Sequence, residues 1–243
     1  MHMGYYVKVE PNVKVYVEDL NPDGKKTIVF LHGWPGNHNL FEYQFNQLPK
    51  LGYRCIGIDQ RGFGKSDKPY GGYDYDRLSD DVRCVVNGLK LHDFILAGHS
   101  TGGAIAIRYM SRHKGYGVSK LALFASAAPS LIKRPNFPYG LEKEDVIKII
   151  EGTYTDRPKM LSDFGDTFFF QHISKQFSDL AEINVPTLII HGIHDKVVPF
   201  QLGKVQNQSI RNSKLLPFEF SGHASFYDQR DRFNEELVKF IEE

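Results

Sequence analysis

The chain has 243 residues, 41% hydrophobic and 24% charged, which suits one large α/β domain or two small ones with ample core. Thirty basic against 29 acidic side chains leave a formal net charge of +1 and no block of like sign, so neither nucleic acid nor an anionic membrane surface is expected as partner. The N-terminus lacks a basic-then-apolar leader, and no apolar run approaches about 18 residues; a cytoplasmic protein without a membrane span is expected.

In chain order, Tyr5–Val9 and Lys14–Val17 read as two alternating strands joined through Pro11-Asn12, a hairpin by pattern. After the Asn21-Pro22-Asp23-Gly24 turn the pattern changes to short, nearly continuous apolar runs: Ile28–Leu31, Cys55–Ile58, Phe94–Ala97, Leu121–Phe124 and Thr187–Ile190. Such runs suit strands buried on both faces of a parallel sheet, and Leu215–Phe220 could be a further strand. Helical spacing appears between them. Leu40, Phe41, Phe45 and Leu48 form one face, and Leu78, Val82, Val85, Val86 and Leu89 another. Ile105, Ile107 and Tyr109 form a third, and Phe233, Leu237, Val238 and Ile241 close the chain. Cys55 and Cys84 fall inside a strand and a helix and read as buried free thiols. The alternation predicts a single doubly wound α/β domain over residues 1–243, with its site at the carboxyl ends of the strands. Residues 127–184 are too many for one crossover; broken by Pro129, Pro135 and Pro138, with helical stretches after, they read as a small helical cap.

One pentapeptide carries chemistry. Gly98-His99-Ser100-Thr101-Gly102 follows an apolar run and precedes a helical stretch, the setting of a nucleophile elbow. A serine hydroxyl needs a base, normally a histidine held in one tautomer by a carboxylate. Asp195 follows the Thr187–Ile190 run and His223 follows Leu215–Phe220, giving the order Ser, acid, His, each after its own strand. In isolation Asp195 reads as a turn residue before a helix and His223 as a surface histidine; their joint placement after the last two strands makes the triad. His191 and His194 could be structural or, more remotely, ligate a metal, and His99 is expected to point to the far side of the sheet. The oxyanion would be held by two backbone amides, that of Thr101 at a helix start and that of Trp34 in His32-Gly33-Trp34-Pro35-Gly36. Gly64-Lys65-Ser66 and Gly62-Phe63-Gly64 look like phosphate and dinucleotide loops but lack the remaining glycines, so Asp59–Asp67 reads as a turn bracing the site.

His32-Gly33-Trp34-Pro35, Asp59-x-Arg61-Gly62-x-Gly64-x-Ser66-Asp67, Gly98-His99-Ser100-Thr101-Gly102-Gly103, the Asp195 loop and Gly222-His223 together resemble the α/β-hydrolase superfamily over essentially the whole chain. Within it, the combination is similar to the cofactor-free haloperoxidase, perhydrolase and aryl esterase group. The resemblance implies an α/β-hydrolase fold: a mostly parallel sheet, an N-terminal antiparallel hairpin, and a cap before the acid-bearing strand. It implies a serine carboxylesterase acting on small to medium esters through an acyl-enzyme, with no cofactor or metal. Pro35 after Trp34 is similar to members with peracid activity. Epoxide hydrolases share His-Gly-Trp-Pro but use an Asp nucleophile, which Ser100 disfavours. Lactonases, other serine α/β-hydrolases, and a small-molecule receptor with vestigial hydrolase activity stay open. By comparison with this group the stretch between Phe170 and Val185 looks short, implying an open pocket and an apolar rim through which copies could associate weakly. Phe164, Phe168, Phe169 and Phe170 are its candidate lining; Phe168 is the expected wall, joined by Val198 from the acid loop.

Overall fold

A computed structural model describes residues 2–135, 137–165 and 176–243. Its hairpin is longer than the alternation alone indicated. β1 (His2–Glu10) and β2 (Val13–Leu20) pair antiparallel, and β2 continues antiparallel onto β4 (Arg54–Ile58). All further pairings are parallel: β4 with β3 (Thr27–Leu31), then β5 (Phe94–His99), β6 (Val118–Phe124), β7 (Thr187–Gly192) and β8 (Ser213–Phe218). The order is β1-β2-β4-β3-β5-β6-β7-β8, so β5 lies well inside an eight-stranded sheet.

The continuous apolar runs are strands because both faces are covered. Alternate residues feed two cores. Val29, Leu31 and Leu96 meet Val82, Val85 and Val86 of α2 (Tyr75–Gly88) and Ile105 and Tyr109 of α3 (Thr101–Arg112). Ile28, Phe30 and Ile95 meet Phe41, Phe226, Phe233 and Leu237 on the other side. A third cluster joins Leu131, Phe137 and Met160 to Ala104, Val198 and Leu202, with Trp34 packed against it. It ties the segment between β6 and β7 to the ends of the strands.

That segment carries α4 (Lys143–Thr155), α5 (Arg157–Gly165) and α6 (Gln176–Ala181). Three details depart from expectation. The helix expected over residues 40–48 is divided: a 3-10 turn at His38–Phe41, α1 (Glu42–Gln47) and a second 3-10 turn at Leu48–Leu51, where Pro49 lacks an amide hydrogen. The helix α7 (Phe200–Ser209) was not anticipated, because its buried residues are Leu202, Gly203 and Gln206 and give no apolar stripe. The strand expected through Phe220 ends at Phe218, and Phe220 is 83% exposed. The chain closes with α8 (Ser225–Asp228) and α9 (Arg230–Glu242). Both cysteines are free; Cys55 is buried but Cys84 is only half-buried. No described helix is long and apolar enough to cross a membrane.

Candidate active site

Ser100 stands alone between β5 and α3, with φ 52° and ψ −118°, a backbone conformation unusual for a residue with a Cβ. Its surroundings hold it there. Its amide donates to Phe124 O at 3.0 Å, and its carbonyl accepts from Gly103 N at 3.0 Å and Ala127 N at 2.9 Å. The flanking glycines are steric necessities. A Cβ on Gly98 would sit 2.5 Å from Gly102 O, and one on Gly102 would sit 2.2 Å from Leu31 O. Ser100 is fully buried, and its Oγ makes no hydrogen bond among the described residues.

Asp195 and His223 come together from the loops after β7 and β8. His223 Nδ1 lies 2.8 Å from Asp195 Oδ2. A carboxylate beside Nδ1 places the ring proton there and leaves Nε2 as the basic nitrogen. Asp195 cannot turn, because its Oδ1 accepts from the amides of Val197 at 2.8 Å and Val198 at 2.9 Å. Burial pushes this carboxyl's pKa upward, but the charge of His223 and hydrogen bonds from His191 and His223 more than offset it. The acid is held well below the usual carboxylate range.

Two further histidines belong to the site. His191 Nε2 donates to Val198 O at 2.8 Å and lies 3.3 Å from Asp195 Oδ2. His99 does not point away from the site. Its Nε2 donates to the carbonyl of His223 at 3.2 Å and its ring centroid lies 4.5 Å from that of His223. Burial first, and then the nearby His223 charge, push His99 far below the normal histidine range, so it serves as a neutral donor. Its position next to Ser100 places the His223 loop beside the elbow. The sequence hint was present: a histidine within the elbow and another at the end of the acid-bearing strand.

The loop after β3 reaches the elbow because Gly33 has no side chain; a Cβ there would lie 2.9 Å from Ser100 Cβ. His32 locks this loop to its neighbour. Its Nδ1 donates to Gly33 O at 2.9 Å, and its Nε2 accepts from Gln60 N at 3.0 Å. Burial pushes its pKa down to about 4. The Trp34 amide, expected as an oxyanion donor, donates at 2.9 Å to the Thr101 hydroxyl. The Thr101 amide opens α3, where the first N–H groups have no carbonyl a turn earlier and the helix dipole favours negative charge.

The Asp59 loop is the brace expected of it. Asp59 Oδ1 accepts from the amide and Nδ1 of His38, both at 2.8 Å, while Oδ2 accepts from Lys65 N at 2.8 Å. Arg61 is buried against Asp81, through Nε at 2.6 Å and Nη2 at 2.8 Å.

A cavity of about 460 Å³ has Trp34 and Thr101 in its wall, with Phe63, Tyr75, Leu78 and Ile149 among the others. Val198, expected as a pocket wall, has no exposed surface and is not among the cavity's lining residues; it packs in the third core cluster and holds Asp195. Phe168, Phe169 and Phe170 lie outside the described residues, as does the side chain of Phe164. Among the described residues no grouping of three His, Cys, Asp or Glu could hold a metal ion.

Residues 26–156 match the family model described as the alpha/beta hydrolase fold. The chain is 44% identical to the AB hydrolase superfamily protein YisY of Bacillus subtilis (strain 168), over 98% of this chain and 99% of that one. It is 28% identical to the bifunctional esterase/perhydrolase DCH of Acinetobacter calcoaceticus, over 97% and 99% of the two chains. An esterase from Exiguobacterium antarcticum superposes with a TM-score of 0.93 at 39% identity, covering 99% of this chain and all of the other. The chain belongs to the α/β-hydrolase fold family, and it is a hydrolase whose relatives bear esterase and non-haem haloperoxidase names.

Proposed function

We propose that the chain is a serine carboxylesterase for small to medium esters, with Ser100 as nucleophile, His223 as base and Asp195 as the group that orients it. The observation carrying this is the Asp195–His223 pair beside the elbow, with the proton directed to Nδ1. His223 Nε2 takes the Ser100 hydroxyl proton as Oγ bonds to the acyl carbon. The charge that develops on the carbonyl oxygen falls to the amides of Trp34 and Thr101, the former leaving the Thr101 hydroxyl as it does so. His223 returns the proton to the departing alcohol, and water, activated by the same nitrogen, releases the acid from Ser100. Residues 127–184 act as a cap in this reading, and a chain-length series of esters with no sharp preference for acetyl would support an open pocket beneath it. Steady-state hydrolysis of 4-nitrophenyl acetate tests the mechanism: S100A abolishes it, and turnover at the parental rate in that variant ends the proposal.

A second reading, perhydrolysis, is favoured by Pro35 directly after Trp34 and by relatives such as a bromoperoxidase structure from Bacillus anthracis, with a TM-score of 0.93 and 29% identity. Hydrogen peroxide in place of water would accept the acyl group from Ser100 and leave as the peracid, which oxidises halide in solution. Halide oxidation would then require both a carboxylic acid and peroxide, and oxidation without the acid would exclude this route.

A further inference from the structure

The cavity beside the elbow has a feature that ester hydrolysis as such does not require. Its wall includes Trp34 and Thr101, the residues that flank Ser100 and whose amides are assigned to the oxyanion, although Ser100 and His223 are not themselves among the lining residues. Much of the wall is apolar: Phe63, Leu78, Ile149 and Ile150. Several of its polar side chains have their hydrogens committed elsewhere. The Tyr73 hydroxyl donates to Pro69 O at 2.6 Å, the Thr153 hydroxyl to Ile150 O at 2.6 Å, and the Gln60 side-chain amide to His32 O.

Arg157, the first residue of α5, is the one charged residue in the lining among the described residues, and no described acid lines the cavity with it. Five other arginines, Arg54, Arg61, Arg77, Arg108 and Arg112, are each tied to a carboxylate. Arg157 makes no ion pair or hydrogen bond among the described residues. A guanidinium with its donors open, at the edge of an apolar cleft, matches a planar carboxylate through two parallel hydrogen bonds. Arg157 is itself exposed to solvent, so a pair formed there is screened by salt and contributes modestly, serving selectivity more than tight binding.

Resting on the esterase reading, we infer that the preferred substrate carries a free carboxylate on the chain that enters this cavity, where Arg157 receives it. The class is that of half-esters of dicarboxylic acids and esters of hydroxy acids.

Two matched series test this, with acid release followed by pH-stat. Monoethyl succinate, glutarate and adipate are compared with ethyl butyrate, pentanoate and hexanoate, which covers entry by the acyl chain. Acetyl esters of 3-hydroxypropanoate and 4-hydroxybutanoate are compared with propyl and butyl acetate, which covers entry by the alcohol. In one series the charged member is expected to exceed its neutral counterpart in kcat/KM. R157Q is expected to reduce that ratio by up to about fivefold, chiefly through KM, and R157K to retain part of it. Raising sodium chloride should shrink the ratio in the parent protein but not in R157Q. Equal ratios in parent and R157Q, or no preference for the charged member in either series, overturn the inference. Absence of any Ser100-dependent turnover of the neutral esters would instead overturn the esterase reading itself.

Discussion

The substitution D195N isolates what the acid contributes. Asparagine has the shape of aspartate, so volume and packing stay fixed while one oxygen becomes an NH2 group. The protein dictates which one. Oδ1 accepts from two backbone amides, Val197 and Val198, and only a carbonyl oxygen can remain there. The NH2 group must therefore take the place of Oδ2, facing His223 Nδ1 and His191 Nε2. As a donor it compels His223 to present a lone pair at Nδ1 and to carry its proton at Nε2. A ring in that tautomer cannot accept the Ser100 proton. A change of this kind in a serine triad lowers kcat by about 10⁴, and a similar loss is expected here with the fold intact.

Steady-state hydrolysis of 4-nitrophenyl acetate, with thermal melts of each protein, supplies the measurement, and D195A provides the control. Alanine leaves His223 free to adopt either tautomer, so D195N should be at least as inactive as D195A despite being the more conservative change. If D195N stays within tenfold of the parent, or clearly exceeds D195A, the tautomer is not set by Asp195 and the reasoning fails.

Three further outcomes are expected. T101A removes the hydroxyl that competes for the Trp34 amide; with a net hydrogen bond worth about 1 kcal/mol, kcat should rise by up to about fivefold, whereas a tenfold fall in a folded variant would show that the hydroxyl assists the oxyanion. Stability should decline between pH 7 and pH 5, because burial pushes His32 down to about 4 while the unfolded chain protonates near 6.5. The unfolded state then binds more protons in that window, which favours unfolding by about 2 kcal/mol at pH 5; equal urea midpoints at the two pH values would contradict this. G102A places a Cβ 2.2 Å from Leu31 O and should destabilise by about 3 kcal/mol with loss of esterase activity, and an unchanged melting temperature would refute the steric account.

Much of the architecture was legible because its determinants are local. The runs beginning at Ile28, Phe94 and Thr187 are strands buried on both faces, and such strands leave unbroken apolar stretches in the sequence. The proposed Ser100, Asp195 and His223 were read from each following its own strand in a fixed order, and the structure brings the last two within 2.8 Å of each other. Helix α7 was hidden by its composition: Gln206, on its buried side, donates to Ser126 O at 3.0 Å and Ala128 O at 2.8 Å, a role no hydropathy pattern reveals. The cavity wall was hidden by its dispersal, since Trp34, Tyr75, Thr101 and Arg157 stand far apart along the chain and meet only through the fold. The ring of His99 packs on Phe226, on the face opposite α2 and α3, but its contact with the His223 carbonyl is tertiary and leaves no local pattern in the sequence.

The burial of α3 has a consequence for motion. Its residues from Thr101 through Ile107, and Tyr109 and Met110 beyond, are buried, and β5 beside it is buried throughout. Hydrogen exchange at their amides should therefore proceed only when the whole molecule unfolds, at the slowest rates in the chain. The serine would then be as immobile as the most protected part of the protein. Any adjustment to a substrate must come from the loops and helices that close over it.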